Sequence, residues 1–253
     1  MTRAGAWGVR AAATLAALTL APAALSGCGA SPTPLGPAGV DGLTIPTPSP
    51  RPADFAGRAE NPWFPLRSGT RWVYRQYTPT GSRTVVATVL PGPRDIAGVP
   101  TTAVRWQVRT GLHDRTAMVR WYAVDIAGNV WWFGQRVLAH TPRLDRLAPA
   151  SWLAGRDGAR AGLVLTDPPR LGDGYFNALQ PGVVERRSTV VSLTATVATT
   201  GHTFRHTIAT RDLSALHPLH VVQSYYARGL GLVAQQDTVA TSSSMSLMRM
   251  RRG

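Results

Sequence analysis

Apolar and polar residues alternate with a period of two along most of residues 61–237, and no stretch of useful length repeats with a helical period. After Gly69, the positions Thr70, Trp72, Tyr74 and Gln76 share one side of a strand, and Arg71, Val73, Arg75 and Tyr77 take the other. Pro79-Thr80-Gly81 turns the chain into a second strand, Arg83–Leu90, which Pro91-Gly92-Pro93 ends. Thr102, Val104, Trp106 and Val108 alternate with Ala103, Arg105, Gln107 and Arg109, the cleanest half-buried strand in the chain. Thr116–Asp125 and Val130–Phe133 read as a hairpin through Ile126-Ala127-Gly128-Asn129, where Gly and Asn accept positive φ. Residues 138–162 read as a long irregular loop of the kind that carries function, with Trp152 plugging a gap in the core. Strands resume at Leu163–Leu165, around Val191–Val197, at His202–Thr210, Val221–Ala227 and Leu230–Gln236. Sequential hairpins without crossover helices predict an all-β fold: a single antiparallel meander of about ten strands, curved into a barrel, a half-barrel or a sandwich.

Outside this region the pattern changes. Residues 1–10 carry Arg3 and Arg10 and no acid, and residues 11–25 are uncharged and rich in Ala and Leu. Small residues then precede Cys28, the single cysteine, which completes the order of a secretory signal. Leu25-Ser26-Gly27-Cys28 resembles the lipobox of bacterial lipoproteins. That resemblance implies diacylglyceryl transfer to the Cys28 thiol, cleavage before it and N-acylation. Two or more acyl chains anchor stably where one does not. The expected location is therefore the extracytoplasmic face of the cell membrane. From Gly29 to Glu60 the chain is rich in Pro, Gly, Ala, Ser and Thr, a composition that favours an extended tether over a packed core. The expected organisation is a signal peptide over 1–27, lipidated cysteine and tether over 28–60, a β domain over 61–237 and a disordered basic tail over 238–253.

Charge adds a partner question. The chain contains 27 basic residues against 13 acids, for a net charge of +14, and every basic residue is arginine. Uniform arginine with abundant Ala, Gly and Pro reads as the codon bias of a high-GC genome. Export removes nucleic acid from the expected partners and leaves anionic headgroups and envelope polyanions, which arginine suits. The candidate polyanion contacts are Arg71, Arg105 and Arg120, each beside a tryptophan in sequence. The opposite face would carry Trp72, Tyr74, Trp106 and Trp121, the candidate contacts for a lipid or other amphiphile inside a curved sheet.

Catalytic chemistry has little material. There is no Gly-x-Ser-x-Gly, no His-Glu-x-x-His and no phosphate loop. His202 and His206 would share a strand face with Phe204, and no local spacing supplies the third ligand that zinc requires. No metal and no cofactor are expected. Asp125, Asp157 and Asp173 lie in or beside turns, where capping the backbone is their expected task.

A series of motifs carries a further resemblance. Asn61-Pro62-Trp63-Phe64-Pro65-Leu66 is followed by Gly69-Thr70-Arg71-Trp72-Val73-Tyr74. Trp121-Tyr122-Ala123-Val124-Asp125, Gly128-Asn129-Val130-Trp131, Ser151-Trp152 and Gly155 follow in order, with Asp157-Gly158-Ala159 and Gly162. Gly172-Asp173, Pro181-Gly182, Tyr225-Tyr226-Ala227 and Gly229 with Gly231-Leu232-Val233 complete the series. It resembles an uncharacterised family of secreted and lipid-anchored bacterial proteins, which implies a β-rich extracytoplasmic domain and no particular activity. The family's pattern places acids where this chain has Gln135, Leu153, Ala178 and Arg186, and only Glu185 is kept. Its acidic hairpin turn suggests a cation site, from which Ala127 removes one oxygen ligand here.

Together these readings predict a non-enzymatic, membrane-anchored binding module for an envelope lipid, amphiphile or polyanion. The alternatives are a hydrolase built from loop residues between Leu138 and Gly174, and a structural partner of other envelope proteins.

Overall fold

The structure is a computed structural model that describes residues 49–57, 60–110, 113–138, 151–238 and 243–253, with side chains throughout except at 110 and 113–117. The signal, Cys28, most of the tether and the central part of the 138–162 segment lie outside the described residues.

Among the described residues there are thirteen strands, and all but β6 follow one another in the order in which they pair. They are β1 (Arg71–Thr78), β2 (Gly81–Ile96), β3 (Val99–Thr110), β4 (His113–Val124), β5 (Val130–Val137), β6 (Trp152–Leu153) and β7 (Arg160–Leu165). Then come β8 (Gly174–Gln180), β9 (Val184–Thr199), β10 (His202–Ser214), β11 (His217–Ala227), β12 (Gly231–Asp237) and β13 (Ser244–Arg251). The two-residue β6 pairs only with β5. The other twelve form a closed ring, because β4 pairs with β5, β5 with β7, and β13 bridges β12 and β1. Every pairing is antiparallel, and the all-β meander is a barrel. Closure leaves no unpaired edge.

The disordered tail expected over 238–253 is corrected by β13. Its register runs from Arg71 opposite Arg251 to Tyr77 opposite Ser244, with a bulge at Met248. The bulge changes the spacing of inward side chains from two to three, so Met245, Leu247 and Met250 all lie opposite the inward residues Gln76, Tyr74 and Trp72. That broken period made the strand look like a polar tail.

The tether boundary also moves. Pro52–Phe55 form a single 3-10 turn, and Phe55 is buried. Its ring meets Trp131 and Phe133 edge-on, with centroids 6.2 and 5.4 Å away. The Ile126 N–H donates to the Asp54 carbonyl oxygen. Residues 49–57 thus cover part of the outer face of β5.

One end of the barrel is sealed by the stretch between that turn and β1. Asn61 donates through Nδ2 to the Gly128 carbonyl, and its Oδ1 accepts the Trp63 N–H. The Gly229 N–H donates to the Pro62 carbonyl. These bonds pin the Asn61–Leu66 stretch to the β4–β5 and β11–β12 turns, and Phe64 packs on Tyr122 and Tyr226. Gly231 leaves room for it, since a Cβ there would lie 3.2 Å from Pro65 Cδ.

Candidate ligand-binding cavity

A ring of twelve strands is wider than side chains alone can fill: eight already give an interior just wide enough for packing. A cavity of about 350 Å³ accordingly occupies the barrel. It runs from Phe64, Pro65 and Leu66 at the sealed end to the β10–β11 turn at the other. There Leu213 is 41% exposed and His217 is exposed, so the cavity reaches solvent at that rim.

Strand register sorts the side chains. On β1 the even positions Trp72, Tyr74 and Gln76 line the cavity, and their partners on β2 are Ala87, Val85 and Arg83. Trp106 lines it from β3, its ring stacked on Tyr74 at 5.9 Å and 15°. Trp72 donates through Nε1 to the Leu230 carbonyl at 2.7 Å, and the Tyr74 hydroxyl to the Leu232 carbonyl at 3.1 Å. Both aromatics are therefore fixed wall elements. Burial pushes the Tyr74 and Tyr226 hydroxyls well above the ordinary phenol range, which keeps both neutral.

The fourth predicted aromatic is placed differently. On β4 the inward residues are Met118, Arg120 and Tyr122, while Trp121 lies opposite Ala103 on the outer face. Trp121 is buried all the same, with the Arg94 guanidinium 4.6 Å above its ring. The expected division, with tryptophans inside and arginines outside, is thus reversed at this strand. Arg120 is inside, apart from Arg71 and Arg105. Both faces of β4 are covered, so apolar content could not distinguish them.

The interior has two sides. Strands β1, β2, β3 and β12 contribute Trp72, Val85, Trp106, Val108 and Leu232 and, farther along the same strands, Gln76, Arg83, Gln235 and Asp237. The opposite arc holds Arg120, Asn177, Arg186 and Asp212. Trp132 stands between the two arginines, with the Arg120 and Arg186 guanidinium carbons 5.1 and 5.9 Å from its ring centre. A bulge at Phe133 orients this indole, whose Nε1 donates to the Gly134 carbonyl at 2.7 Å. A second bulge, at Asn177 in β8, aims that side chain inward, and Gly162 on β7 makes room for it: a Cβ there would strike the Phe176 carbonyl.

Arg120 donates through Nε to Gln135 Oε1 at 3.3 Å. Asp212 accepts the Ser188 hydroxyl on Oδ1 and the Ser224 hydroxyl on Oδ2, and Gln235 donates in turn to Ser224. Burial lowers the Arg186 pKa from its usual value, the Asp212 charge opposes this and the Arg120 charge adds to it. Gln135, Ala178 and Arg186 meet here: Gln135 contacts Arg120, and Ala178 lies directly opposite Arg186. Leu153 lies apart, opposite Gly134.

The turn acids have backbone partners. Asp125 accepts the Ala127 and Asn129 N–H groups on Oδ1, and Asn129 Nδ2 and Trp131 Nε1 on Oδ2. Four donors saturate the carboxylate and leave a cation no free oxygen. Asp173 accepts the Thr166 hydroxyl and the Arg170 N–H, and Glu185 the Gly182 N–H. His206 adopts φ +53° within an irregular stretch of β10, so it does not continue the strand face of His202 and Phe204, whose rings stack at 5.9 Å.

On the outside, arginines gather on β13, β1 and β3. Arg251 pairs with Arg71, which shares Thr88 with Arg105, and Arg75 shares Thr84 with Arg109. These three strands contain no acid.

No protein-family model matches the chain, and no curated protein matches it. Two crystal structures are similar to it. One is a candidate exported protein with a YmcC-like fold from Bacteroides fragilis, at 15% identity and a TM-score of 0.40, covering 75% of this chain and 99% of that one. The other is a candidate lipoprotein from Parabacteroides distasonis, at 10% identity and a TM-score of 0.39, covering 77% and 100%.

Proposed function

We propose that the chain is a membrane-anchored, extracytoplasmic binding module that takes an apolar or amphiphilic molecule into its barrel without transforming it. The observation that carries this reading is the cavity of about 350 Å³, sealed at one end by Phe64 to Leu66 and walled on one side by Trp72, Tyr74 and Trp106. Its size falls within the roughly 300–1,000 Å³ range of small-molecule sites. Retention rather than transformation is supported by the engagement of both carboxylates that line the cavity, Asp212 by the Ser188 and Ser224 hydroxyls and Asp237 by His220 Nδ1 at 3.1 Å. Anchoring is supported by the Leu25-Ser26-Gly27-Cys28 sequence alone. Exposing the full chain to an envelope lipid extract, followed by native mass spectrometry, is expected to show one retained amphiphile per chain. Replacing Trp106 with Glu, which removes an indole of the wall and puts a carboxylate beside Arg120, is expected to abolish retention. A folded wild-type chain that retains nothing would remove the reading.

A second reading rests on the acid-free outer rows containing Arg71, Arg75, Arg105 and Arg251. Like charges opposed across strands destabilise a sheet unless an anion screens them. The outer face would therefore bind an anionic headgroup layer or envelope polymer. In a Cys28→Ser chain, which cannot be acylated, co-sedimentation with phosphatidylglycerol vesicles is expected at low salt and lost at high salt, while the wild type stays bound. Sedimentation that ignores salt would refute the charge contact. Retention of the serine variant on native membranes at high salt would refute the anchor.

A further inference from the structure

We propose that the cavity's ligand is an anionic amphiphile, a single apolar chain ending in an oxyanion (carboxylate or phosphate monoester), with that oxyanion held between Arg120 and Arg186. This deepens the cavity reading above and rests on it.

Both guanidiniums stand within 6 Å of the Trp132 ring, inside the barrel and beside the cavity. Guanidinium stays charged at any physiological pH, so the interior carries two neighbouring positive charges. A buried charge is costly unless it is paired and hydrogen-bonded, and contact with the face of an indole supplies attraction but no acceptor. Arg120 has one acceptor, Gln135 Oε1. The Arg186 guanidinium makes no hydrogen bond or ion pair with any described residue. The nearby carboxylate, Asp212, is hydrogen-bonded instead to the Ser188 and Ser224 hydroxyls.

Two forks of N–H donors therefore face the cavity with capacity to spare. Carboxylate and phosphate are the groups whose paired oxygens match such forks. The rest of the ligand follows from the apolar wall. Trp72, Tyr74 and Leu232 offer apolar surface, and Trp106, whose ring centre is 5.5 Å from the Arg120 guanidinium carbon, joins that surface to the arginines, which suits an alkyl chain ending in an anion better than a wholly polar anion. The cavity volume of about 350 Å³ is that of one small molecule.

Four twelve-carbon probes below their micelle concentrations separate the contributions: dodecanoate, dodecyl phosphate, dodecanol and dodecyltrimethylammonium. Binding to the full chain is followed by tryptophan emission and calorimetry. Both anions are expected to bind at least about tenfold more tightly than dodecanol, with the cation weakest. The tighter of the two anions identifies which oxyanion the site prefers. Arg186→Met is expected to weaken the anions by at least about tenfold and to leave dodecanol nearly unchanged. If near-UV circular dichroism shows that this variant does not fold, Arg120→Met and Arg186→Lys take its place, and the wild-type ranking decides alone if they fail too. Dodecanol binding as tightly as the anions, or a folded Arg186→Met chain that keeps the anion preference, overturns the headgroup assignment and leaves the cavity reading intact. Failure of all four probes on the folded wild type overturns both.

Discussion

A chain that ends at residue 243 is expected to lose cooperative unfolding and to aggregate. The missing strand, β13, is the one that joins β12 to β1. Without it, Arg71–Tyr77 and Ala234–Gln236 present unpaired backbone to solvent, the situation in which sheets recruit other chains. Met245 and Leu247 are 7% and 4% exposed. Losing the burial of these two side chains alone costs about 3–6 kcal/mol. That is comparable with the roughly 5–15 kcal/mol by which domains are stable at all. Thermal melts by circular dichroism and size-exclusion chromatography decide the matter. If the truncated chain melts near the full-length temperature and remains monomeric, β13 does not close the barrel.

Removing the carboxylate of Asp125 is the second large effect. The group is 7% exposed and takes four N–H donors in the β4–β5 turn, among them the indole of the buried Trp131. In Asp125→Ala these donors lose their acceptor together, and each stranded buried donor is costly. The expected loss is on the order of 4 kcal/mol, which for a domain of this size lowers Tm by about 8–16 °C. Asp125→Asn keeps the shape but turns an NH₂ toward Asn129 Nδ2 and Trp131 Nε1, both donors, so most of the loss is expected to remain. A substitution to asparagine that leaves Tm unchanged would contradict the bonding described here.

Much of the barrel was legible because the period of two is a direct record of one wet and one dry face. Trp72, Tyr74 and Trp106 fell on the inner face for that reason. The signal failed where its physical basis failed. On β4, Arg120 and Trp121 exchanged faces because Tyr122 inside and Trp121 outside are both buried. On β13, the bulge at Met248 broke the period. In the 28–60 segment, a single phenylalanine among prolines carried no pattern, yet Phe55 fills a site on Trp131 and Phe133. The Asn61–Leu66 motif was visible as a motif, but its task as a seal depends on bonds to Gly128 and Gly229, far away in sequence. The pairing of Arg120 with Arg186 around Trp132 was likewise illegible, since three strands and a bulge bring them together.

The seal has a kinetic consequence. With Phe64 to Leu66 across one end, the cavity reaches solvent at the rim beside Leu213 and His217. A doorway obeys a simple rule: whatever narrows it slows arrival and departure through it by the same factor. Changes at that rim would then set residence time while equilibrium occupancy stays fixed by the walls within. Occupancy and turnover of the barrel can thus be tuned separately, by different residues.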